Sequence, residues 1–549
     1  MEYRSPLSML YHWEKQTPDK VYMRQPIEGV WHEWTWKQTA QEVRKLTAAI
    51  QSLELPPNSH IALLSKNCAH WFICDLAIMM AGYISIPLYP SLQRETVALI
   101  LERSESVVLF AGKLDNWEEV KDGIPAHIKC IAFPFCNNDR CESWESFTQA
   151  HEPIKENIER NLSDTVSIIY TSGTSGEPKG AVFSFEAFAF VIQHALEYVQ
   201  FKQSERFFSY LPLSHIAERM LVEMVSLNTG AQVSFAESLQ TFAQNLAESK
   251  PTIFLGVHRI WTRFHQGILA KLPEKKLNIL LKVPVLSNYI KRKIRKSIGL
   301  NEASMILTGA APTPPDLIKW FRRIGIIIQE AYAMTENCCY SHVTLKEKIK
   351  IGFVGQPLPH CEVRLGENNE IQIKHKGMMK GYYNEPEKTA ESFTADGFFK
   401  TGDEGFIDEE GFLKITGRIK DIFKTAKGKY VAPSPIEMRF STSLIVEQVC
   451  VVGSGLAQPM ALLTLSDFGK KRNEEELHAE LTNTILNINT HLEDHEKLNK
   501  IIVLKEPWLI ENNLLTPSLK IKRNEIEKRY VDFYTEWHNH KGSVVIVTP

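Results

Sequence analysis

The sequence predicts an α/β protein with a large, layered N-terminal part and a compact C-terminal part. Helical and strand patterns alternate through about the first 160 residues, and this order favours mainly parallel sheets. Near residue 417 the chain becomes polar and rich in glycine, and a tail of about 130 residues follows. A chain of 549 residues is long enough for about two to four domains.

Apolar spacing predicts the first elements in chain order. Residues 36–46 form a helix, because Trp36, Ala40, Val43, Leu46 and then Ile50 fall on one side. Residues 61–64 are a strand, residues 69–81 a helix, and residues 84–88 a strand that ends before a proline. Residues 136–160 are polar and are predicted to be a loop. Further along, residues 186–199 are predicted to be a helix.

Composition excludes several classes of protein. Hydrophobic residues make up 44% of the chain and charged residues 23%, which is typical of a globular enzyme. The net charge of -2 gives no reason to expect a nucleic-acid partner. Nine cysteines without a C-x-x-C pair indicate neither a disulfide framework nor a zinc site, which fits a cytoplasmic protein. The most apolar window, residues 71–88, is interrupted by Asp75, Gly82 and Ser85 and is a poor membrane span.

The stretch at residues 170–180 has the composition of an anion-binding loop. It follows a β-branched strand at residues 166–169 and contains three glycines, four Ser or Thr hydroxyls and Lys179. Glycines let backbone N–H groups point into one concavity, and the lysine supplies positive charge for a polyphosphate. Because Lys179 stands between Pro178 and Gly180, the stretch is not a Walker loop. A flexible surface loop is the alternative interpretation.

Later strands also end at chemically useful residues. An apolar strand near residues 207–211 leads to His215, residues 305–311 form a strand that ends in small residues, and residues 326–336 run from a strand to Tyr332, Thr335 and Glu336. Open parallel sheets present ligands at such strand ends. Taken singly, each could equally be a structural feature.

Residues 255–300 are predicted to be helical and basic, with a charge run at residues 291–296. A solvated helix face is one interpretation of this run. The other is attraction to anionic lipid headgroups, worth about 1 kcal/mol per basic residue close to the surface.

Together these motifs resemble those of the adenylate-forming enzymes, which include acyl-CoA synthetases, peptide-synthetase adenylation domains and firefly luciferase. Residues 170–180 resemble that family's phosphate loop, and residues 211–219 resemble its second motif in the wording of the long-chain fatty-acyl branch. The resemblance runs in order along nearly the whole chain. It implies a large domain at residues 1–417, a hinge at residues 418–422 and a small, mobile α+β domain at residues 423–549.

The resemblance also implies the site residues, position by position. Phosphates would bind the loop residues Thr171, Ser172, Gly173, Thr174, Ser175, Gly176 and Lys179. The adenosine would contact Gly309, Ala310, Ala311 and Tyr332, with Asp403 and Arg418 at the ribose. Thr335 would bind the α-phosphate, and Glu336 with Thr171 would hold Mg²⁺. His215 would border the acyl pocket, Lys420 would be the hinge residue, and the catalytic set would be Lys520, Thr171, Glu336 and Arg418.

The adenylation lysine is assigned by the phrase at residues 513–523. Leu-Lys-Ile-Lys-Arg matches the family's Gly-Lys-Ile-x-Arg and places the lysine at Lys520, although Leu519 replaces the glycine. That replacement leaves Lys522 as an alternative. Asp403 is expected in a tight turn between glycines, since Gly402 and Gly405 flank its segment.

The implied reaction joins a medium- to long-chain fatty acid to coenzyme A through acyl-AMP, with ATP and Mg²⁺. An enzyme that loads the pantetheine of a carrier protein and a non-catalytic nucleotide-binding relative remain alternatives. A peripheral contact at the inner face of a membrane and a homodimer are also left open.

Overall fold

The computed structural model describes residues 3–136, 138–172 and 177–547. The first 150 residues alternate helices and strands, as predicted. Their elements are α1 (Pro6–Gln16), β1 (Val21–Ile27), β2 (Val30–Thr35), α2 (Trp36–Gln51), β3 (His60–Leu64), α3 (Ala69–Ala81), β4 (Ile84–Leu88), α4 (Arg94–Arg103), β5 (Ser106–Ala111), α5 (Trp117–Val120), β6 (Lys129–Ala132), β7 (Glu142–Ser143) and α6 (Trp144–Gln149).

The next segment completes the large part of the molecule, and a π-helix over Arg219–Met224 joins two of its helices. Its elements are β8 (Thr165–Ser172), β9 (Pro178–Ser184), α7 (Phe185–Val199), β10 (Arg206–Ser209), α8 (Ile216–Glu218), α9 (Val225–Thr229), β11 (Gln232–Phe235), α10 (Phe242–Ser249), β12 (Ile253–Val257), α11 (His258–Lys271), α12 (Glu274–Leu281), α13 (Pro284–Ser297), β13 (Met305–Gly309), α14 (Pro315–Arg323), β14 (Gln329–Tyr332), β15 (His342–Val343), β16 (Gln356–Pro357), β17 (Glu362–Leu365), β18 (Glu370–Lys374), β19 (Gly381–Tyr382), α15 (Pro386–Ser392), β20 (Phe399–Ile407) and β21 (Leu413–Arg418).

Two large sheets dominate this part. One has nine strands in the order β16-β15-β14-β13-β12-β10-β11-β1-β2, and the other has eight in the order β19-β9-β8-β4-β3-β5-β6-β7. Strand pairs in the middle of both sheets are parallel. Antiparallel pairs occur at both ends of the nine-stranded sheet and at the β19 end of the eight-stranded sheet, whose other end is parallel. A third, four-stranded antiparallel sheet in the large part has the order β17-β18-β20-β21. The predicted α/β class with mainly parallel sheets is confirmed.

The C-terminal part has its own sheet and its own apolar core. Its elements are β22 (Phe423–Lys424), β23 (Tyr430–Val431), α16 (Pro433–Met438), β24 (Val446–Val452), β25 (Met460–Leu465), α17 (Glu474–Asn489), β26 (Lys500–Leu504), α18 (Arg523–Tyr530), α19 (Tyr534–Asn539) and β27 (Val544–Ile546). Strands β24 to β27 form one sheet in chain order. The two apolar clusters beside this sheet contain only residues 423–547.

The early sequence predictions match the structure closely. Helix α2 buries Trp36, Ala40, Val43, Leu46 and Ile50 on one side, and its capping box is built on Thr35. Helix α3 covers residues 69–81 and ends at Gly82, whose φ of 93° is in the left-handed region that favours glycine. Among the described residues no helix is long and apolar enough to cross a membrane.

Three local predictions are wrong. Residues 136–160 are not all loop, since β7 and α6 lie there and bury Trp144 and Phe147. Residues 326–328 precede the strand instead of forming it, because β14 begins at Gln329. A disulfide joins Cys130 to Cys141, although the cysteine pattern gave no sign of a pair.

Candidate active site

The candidate site is a cleft of about 1440 Å³ between the large part and the C-terminal tail. Drug-sized ligands occupy pockets of roughly 300 to 1000 Å³, so this cleft has room for two substrates. Its lining consists of a polar set and an apolar set of side chains, here called the polar arm and the apolar arm. From the tail it receives the loop at residues 516–521.

The predicted phosphate loop lies, in sequence, between two strands that pair with each other. Strands β8 and β9 pair antiparallel, with Thr171 opposite Lys179. Of its predicted residues, Gly173, Thr174, Ser175 and Gly176 lie outside the described residues, and Ser172 ends β8. Thr171 and Lys179 line the cleft. The strands therefore hold the two ends of the predicted loop in the wall of the cleft.

A tyrosine links the lysine of this loop to the candidate metal ligand. The Nζ of Lys179 lies 5.1 Å from the ring centre of Tyr382, and the Tyr382 hydroxyl donates to Oε1 of Glu336 at 2.9 Å. The backbone N–H of Met379 also donates to the Glu336 carbonyl at 2.9 Å. Tyr382 belongs to β19, which pairs with β9. Sequence reasoning gave Tyr382 no role, because this contact depends on strand pairing across about 200 residues.

Strands β13 and β14 place the predicted adenosine residues side by side. Gly309 ends β13 where a Cβ would approach the Ala331 carbonyl to 3.3 Å, so glycine keeps this wall open. Ala310 has a φ of 64°, a strained conformation that is common at ligand sites. Ala310, Ala311 and Thr335 line the cleft next to Tyr332.

Asp403 is held by two of the other predicted residues. The Tyr332 hydroxyl donates to Oδ2 at 2.8 Å, and Nε of Arg418 donates to Oδ1 at 2.8 Å. Burial and the Asp403 charge raise the pKa of Tyr332, so its hydroxyl stays protonated. The expected turn at Asp403 is wrong: the residue lies within β20, directly opposite Arg418 in β21. Strand pairing, and not a glycine turn, sets this carboxylate beside the arginine.

His215 lies at the junction of the polar and apolar arms. It caps α8, and its Nδ1 accepts the backbone N–H of Ala217 at 3.1 Å. Burial, with a smaller effect of nearby Lys520, lowers the pKa of His215 to about 4. The ring is therefore neutral at pH 7, and its Nε2 carries the proton.

The tail presents Lys520 on a tight loop. The Lys520 carbonyl accepts the N–H of Thr516 at 2.7 Å, and its own N–H donates to the Thr516 hydroxyl at 3.0 Å. Burial and the charge of Arg418 lower the pKa of Lys520, while Asp403 and Glu336 raise it. The side chain remains exposed to solvent in the cleft, which weakens the effect of burial. Lys520 thus lines the same cleft as Glu336, Asp403 and Arg418, and their charges affect its pKa.

Lys522 does not share this position. Its Nζ donates to Oδ1 of Asn513, and it does not line the cleft. Leu519, which replaces the family's glycine, has a φ of 61°. The backbone therefore adopts the conformation that glycine would favour, in spite of the leucine side chain. This agrees with the alignment that selects Lys520.

The predicted hinge residue is exposed and lies in a short 3₁₀ turn, Ile419–Asp421. Arg523 ties the Lys520 loop to this region, since its guanidinium lies 2.6 Å from Glu437 and 3.8 Å from Asp421. Across the cleft, the Ser91 hydroxyl donates to the Pro517 carbonyl at 3.2 Å. These contacts hold the tail with Lys520 facing the large part.

The apolar arm is built by two helical segments. Helix α7 contributes one face, and the segment from α8 through the π-helix to α9 contributes the other. Their lining residues are Val191, Ile192, Ala195, Val199, Ile216, Met220, Leu221 and Val225. Both runs follow helical spacing, so each helical segment presents one side to the cleft.

Sequence reasoning also missed Glu330, which lines the cleft two residues before Tyr332. Its Oε2 accepts the N–H of Gly352 at 3.1 Å, and burial raises the pKa of this carboxyl to about 7. A carboxyl group buried on a strand has no periodic signature. The hydrogen-bond partner of Glu330 is known only from the folded structure, in which the loop at Gly352 lies over β14.

The residues present fit Mg²⁺ in its usual mode of binding. No group of three or more His, Cys, Asp or Glu side chains that could hold a metal occurs within residues 3–136, 138–172 and 177–547. Mg²⁺ in nucleotide enzymes is commonly held by one or two carboxylates together with substrate phosphates. Glu336 offers one such carboxylate in the cleft, which Thr171 also lines.

Family comparison agrees with this geometry. Residues 10–383 match the family model described as AMP-binding enzyme, and residues 420–537 match the model of the AMP-binding enzyme C-terminal domain. The chain is an AMP-binding enzyme. The match to the first family model ends before strands β20 and β21, and the match to the second begins at Lys420.

Relatives of this AMP-binding enzyme extend over nearly its full length. It is 27% identical over 581 residues to the long-chain-fatty-acid–CoA ligase FadD15 of Mycobacterium bovis, covering 96% of each chain. It is 29% identical to long-chain-fatty-acid–CoA ligase 5 of Mus musculus, over 90% of this chain and 83% of the mouse protein.

Solved structures show the same fold. The adenylation domain of a carboxylate reductase from Mycobacterium chelonae superposes with a TM-score of 0.83 at 20% identity, covering 98% of this chain and 91% of that domain. An anthranilate CoA ligase in complex with anthranoyl-AMP gives a TM-score of 0.78 at 18% identity, covering 96% and 97%.

Proposed function

We propose that this protein is an acid–thiol ligase that converts a fatty acid to acyl-AMP with release of pyrophosphate and then transfers the acyl group to coenzyme A. The observation that carries the proposal is the arrangement of one cleft. Lys520, Glu336, Asp403 and Arg418 line its polar arm, and the apolar side chains that follow His215 in α8 line its apolar arm. Relatives named as long-chain-fatty-acid–CoA ligases support the same activity.

Activation is needed because a carboxylate resists attack by a thiol. Its carbonyl is electron-rich and oxide is a poor leaving group, whereas AMP leaves readily from a mixed anhydride. In the proposed step a carboxylate oxygen attacks the α-phosphorus of ATP, and the bond to pyrophosphate breaks. Both reactants are anions, so cations must bring them together.

The described side chains can supply that charge. Lys520 would bridge the fatty-acid carboxylate and the α-phosphate, and Lys179 would hold the outer phosphates. Asp403 would accept hydrogen bonds from the ribose hydroxyls, since Tyr332 and Arg418 engage only one acceptor site on each of its oxygens. Bound Mg²⁺, held by Glu336 with Thr171, would supply further electrostatic stabilisation of the phosphates.

Thioester formation would need a second arrangement of the tail. After pyrophosphate leaves, Lys520 occupies the space through which a thiol would reach the adenylate. In this proposal residues 1–417 form the large domain, residues 418–422 the hinge and residues 423–549 the small domain. Rotation at Lys420 would remove Lys520 and admit the thiolate of coenzyme A.

The apolar arm supports a medium- to long-chain acid. Its α7 wall runs from Val191 to Val199, about 12 Å at 1.5 Å per residue. A short acid such as acetate would leave this wall without contacts, whereas each buried methylene gains about 0.8 kcal/mol. We therefore expect kcat/KM to rise with chain length until the arm is filled.

The test is a panel of carboxylic acids from acetate to oleate, scored for pyrophosphate release with and without coenzyme A. The proposal expects acid-dependent release and an acyl-CoA product with the longer acids. Each acid is also offered a carrier-protein pantetheine in place of coenzyme A. If the enzyme prefers the carrier-protein pantetheine, it is an enzyme that loads carrier proteins. If no acid of the panel supports pyrophosphate exchange, the protein is a non-catalytic relative.

A further inference from the structure

The surface formed by residues 271–297, here called the basic hairpin, is much more basic than the chain as a whole. It contains α12 and α13 and carries nine basic residues against one acidic residue, in a chain whose net charge is -2. The basic residues are Lys271, Lys275, Lys276, Lys282, Lys291, Arg292, Lys293, Arg295 and Lys296. The one acidic residue, Glu274, already pairs with Arg323 at 2.5 Å.

Large apolar side chains are exposed at the turn of the same hairpin. Ile279 is 67% exposed, Val283 50%, Val285 84% and Tyr289 60%. Single exposed apolar residues are ordinary, but four within eleven residues form a patch that favours an apolar partner.

Helix α13 combines both features on one face. Val285, Tyr289, Arg292 and Lys296 recur at helical spacing and are all exposed. The opposite side buries Ser287 and Ile294, with Ile294 in the core that also holds Trp261 of α11. Because α13 is anchored by its inner side, its apolar and basic face must remain outward.

We propose that the basic hairpin docks on an anionic lipid bilayer. The turn around Val283 and Val285 enters the headgroup region, while Arg292 and Lys296 bind lipid phosphates. A basic face continuous with apolar residues is the pattern of helices that lie at membrane interfaces. A nucleic acid would pair with the basic side chains of the hairpin but would leave Val283, Val285 and Ile279 exposed to water.

The benefit of this docking to the enzyme rests on the proposed function. Binding to vesicles can be measured whether or not that function holds. Fatty acids of medium or long chain partition into bilayers. Helix α11 leads directly into the basic hairpin, and its residues Arg259, Thr262 and Gln266 line the cleft. Docking at the hairpin would bring the cleft close to the lipid that holds the substrate.

Binding is tested with the full chain by co-sedimentation with vesicles. One set is pure phosphatidylcholine, and the other contains about one phosphatidylglycerol in three lipids. The inference expects binding to the anionic set that weakens as salt is raised from low to high concentration. Equal binding to both sets, or no binding to either at low salt, overturns it.

Matched variants locate the surface. Arg292→Glu with Lys296→Glu should lower the partition coefficient at least about 25-fold, since each lost cation near the surface is worth about 5-fold. Lys470→Glu with Lys471→Glu makes the same change in net charge on the exposed side of the tail and should have little effect. An equal loss in both variants would mean that net charge alone drives binding, which contradicts the inference.

The apolar turn is tested separately. Val283→Ser with Val285→Ser should weaken binding to anionic vesicles, whereas Leu486→Ser, at a residue 61% exposed in α17, should not. Pyrophosphate release with octanoate in solution should be unchanged in every variant, and release with oleate in vesicles should fall only in the hairpin variants. If the unaltered protein released no pyrophosphate with either octanoate or oleate, the proposed function would be refuted and the binding result would stand.

Discussion

At the scale of single residues, the structure separates two lysines that the sequence leaves as alternatives. Lys520 and Lys522 lie in one short phrase, and each could align with an adenylation lysine. Their loop places them differently, because a bridge between Leu515 and Ile521 closes it and Lys520 lines the cleft. Lys522 is engaged by Asn513 outside the cleft.

Lys520→Ala should therefore reduce acyl-AMP formation by roughly 100- to 1000-fold, the loss typical of removing one donor to a developing charge. Thioester formation from supplied acyl-AMP should be largely kept, since the proposed second step does not use this side chain. Lys522→Ala is the control and should retain both half-reactions. Pyrophosphate exchange and acyl-CoA release measure the two steps, and a parallel fall in both for Lys520→Ala would contradict this division.

Leu519 offers a second test at this scale, because its φ of 61° disfavours every residue except glycine to some degree. Leu519→Val should lower the rate of adenylation, since a β-branched residue adopts the left-handed region least readily and the loop would shift. Leu519→Gly should keep or raise the rate. Single-turnover formation of acyl-AMP measures both, and similar losses in the two variants would show that the leucine side chain itself is needed.

At the scale of elements, prediction succeeded where apolar periodicity decides the structure. Helices α2 and α3 and strands β3 and β4 have strong periodic cores, and the sequence predicts all of them. The position of Asp403 in β20 was missed, since Gly402 and Gly405 resemble turn residues unless the partner strand β21 is known. Likewise, Asp75 is a buried partner of Arg219 across 144 residues, at 2.6 Å, and no local pattern could reveal this ion pair.

The hinge element gives a prediction of its own. Lys420→Pro would fix φ and remove one N–H in the 3₁₀ turn Ile419–Asp421, whose present conformation suits a φ near that of proline. Adenylation should change little, whereas thioester formation should fall by about tenfold or more, because the proposed second step requires the tail to rotate. Lys420→Ala, which keeps backbone freedom, should retain both steps. Equal slowing of both half-reactions by the proline would place the moving joint elsewhere.

At the scale of the molecule, the two parts meet mainly at the cleft while each keeps its own core. Within the described residues, the apolar clusters of the large part include residues up to 415, and those of the tail include residues 423–547. A movement of the tail would therefore leave both cores buried. The separate cores also lead us to predict that the residues proposed to bind adenosine can be separated from Lys520.

A fragment of residues 1–419 should accordingly fold and bind AMP but fail to adenylate. It retains Tyr332, Asp403 and Arg418, whose hydrogen bonds are all within it, and it loses Lys520. We expect an affinity for AMP within about tenfold of the full chain, and a rate of acyl-AMP formation lower by at least about 100-fold. Calorimetry with AMP and pyrophosphate release measure the two properties, and the Asp403→Ala fragment is the control that should lose binding. Full adenylation by the fragment would show that the cations of the large part are sufficient, because no residue of the tail would then be needed to bring the carboxylate to the α-phosphate.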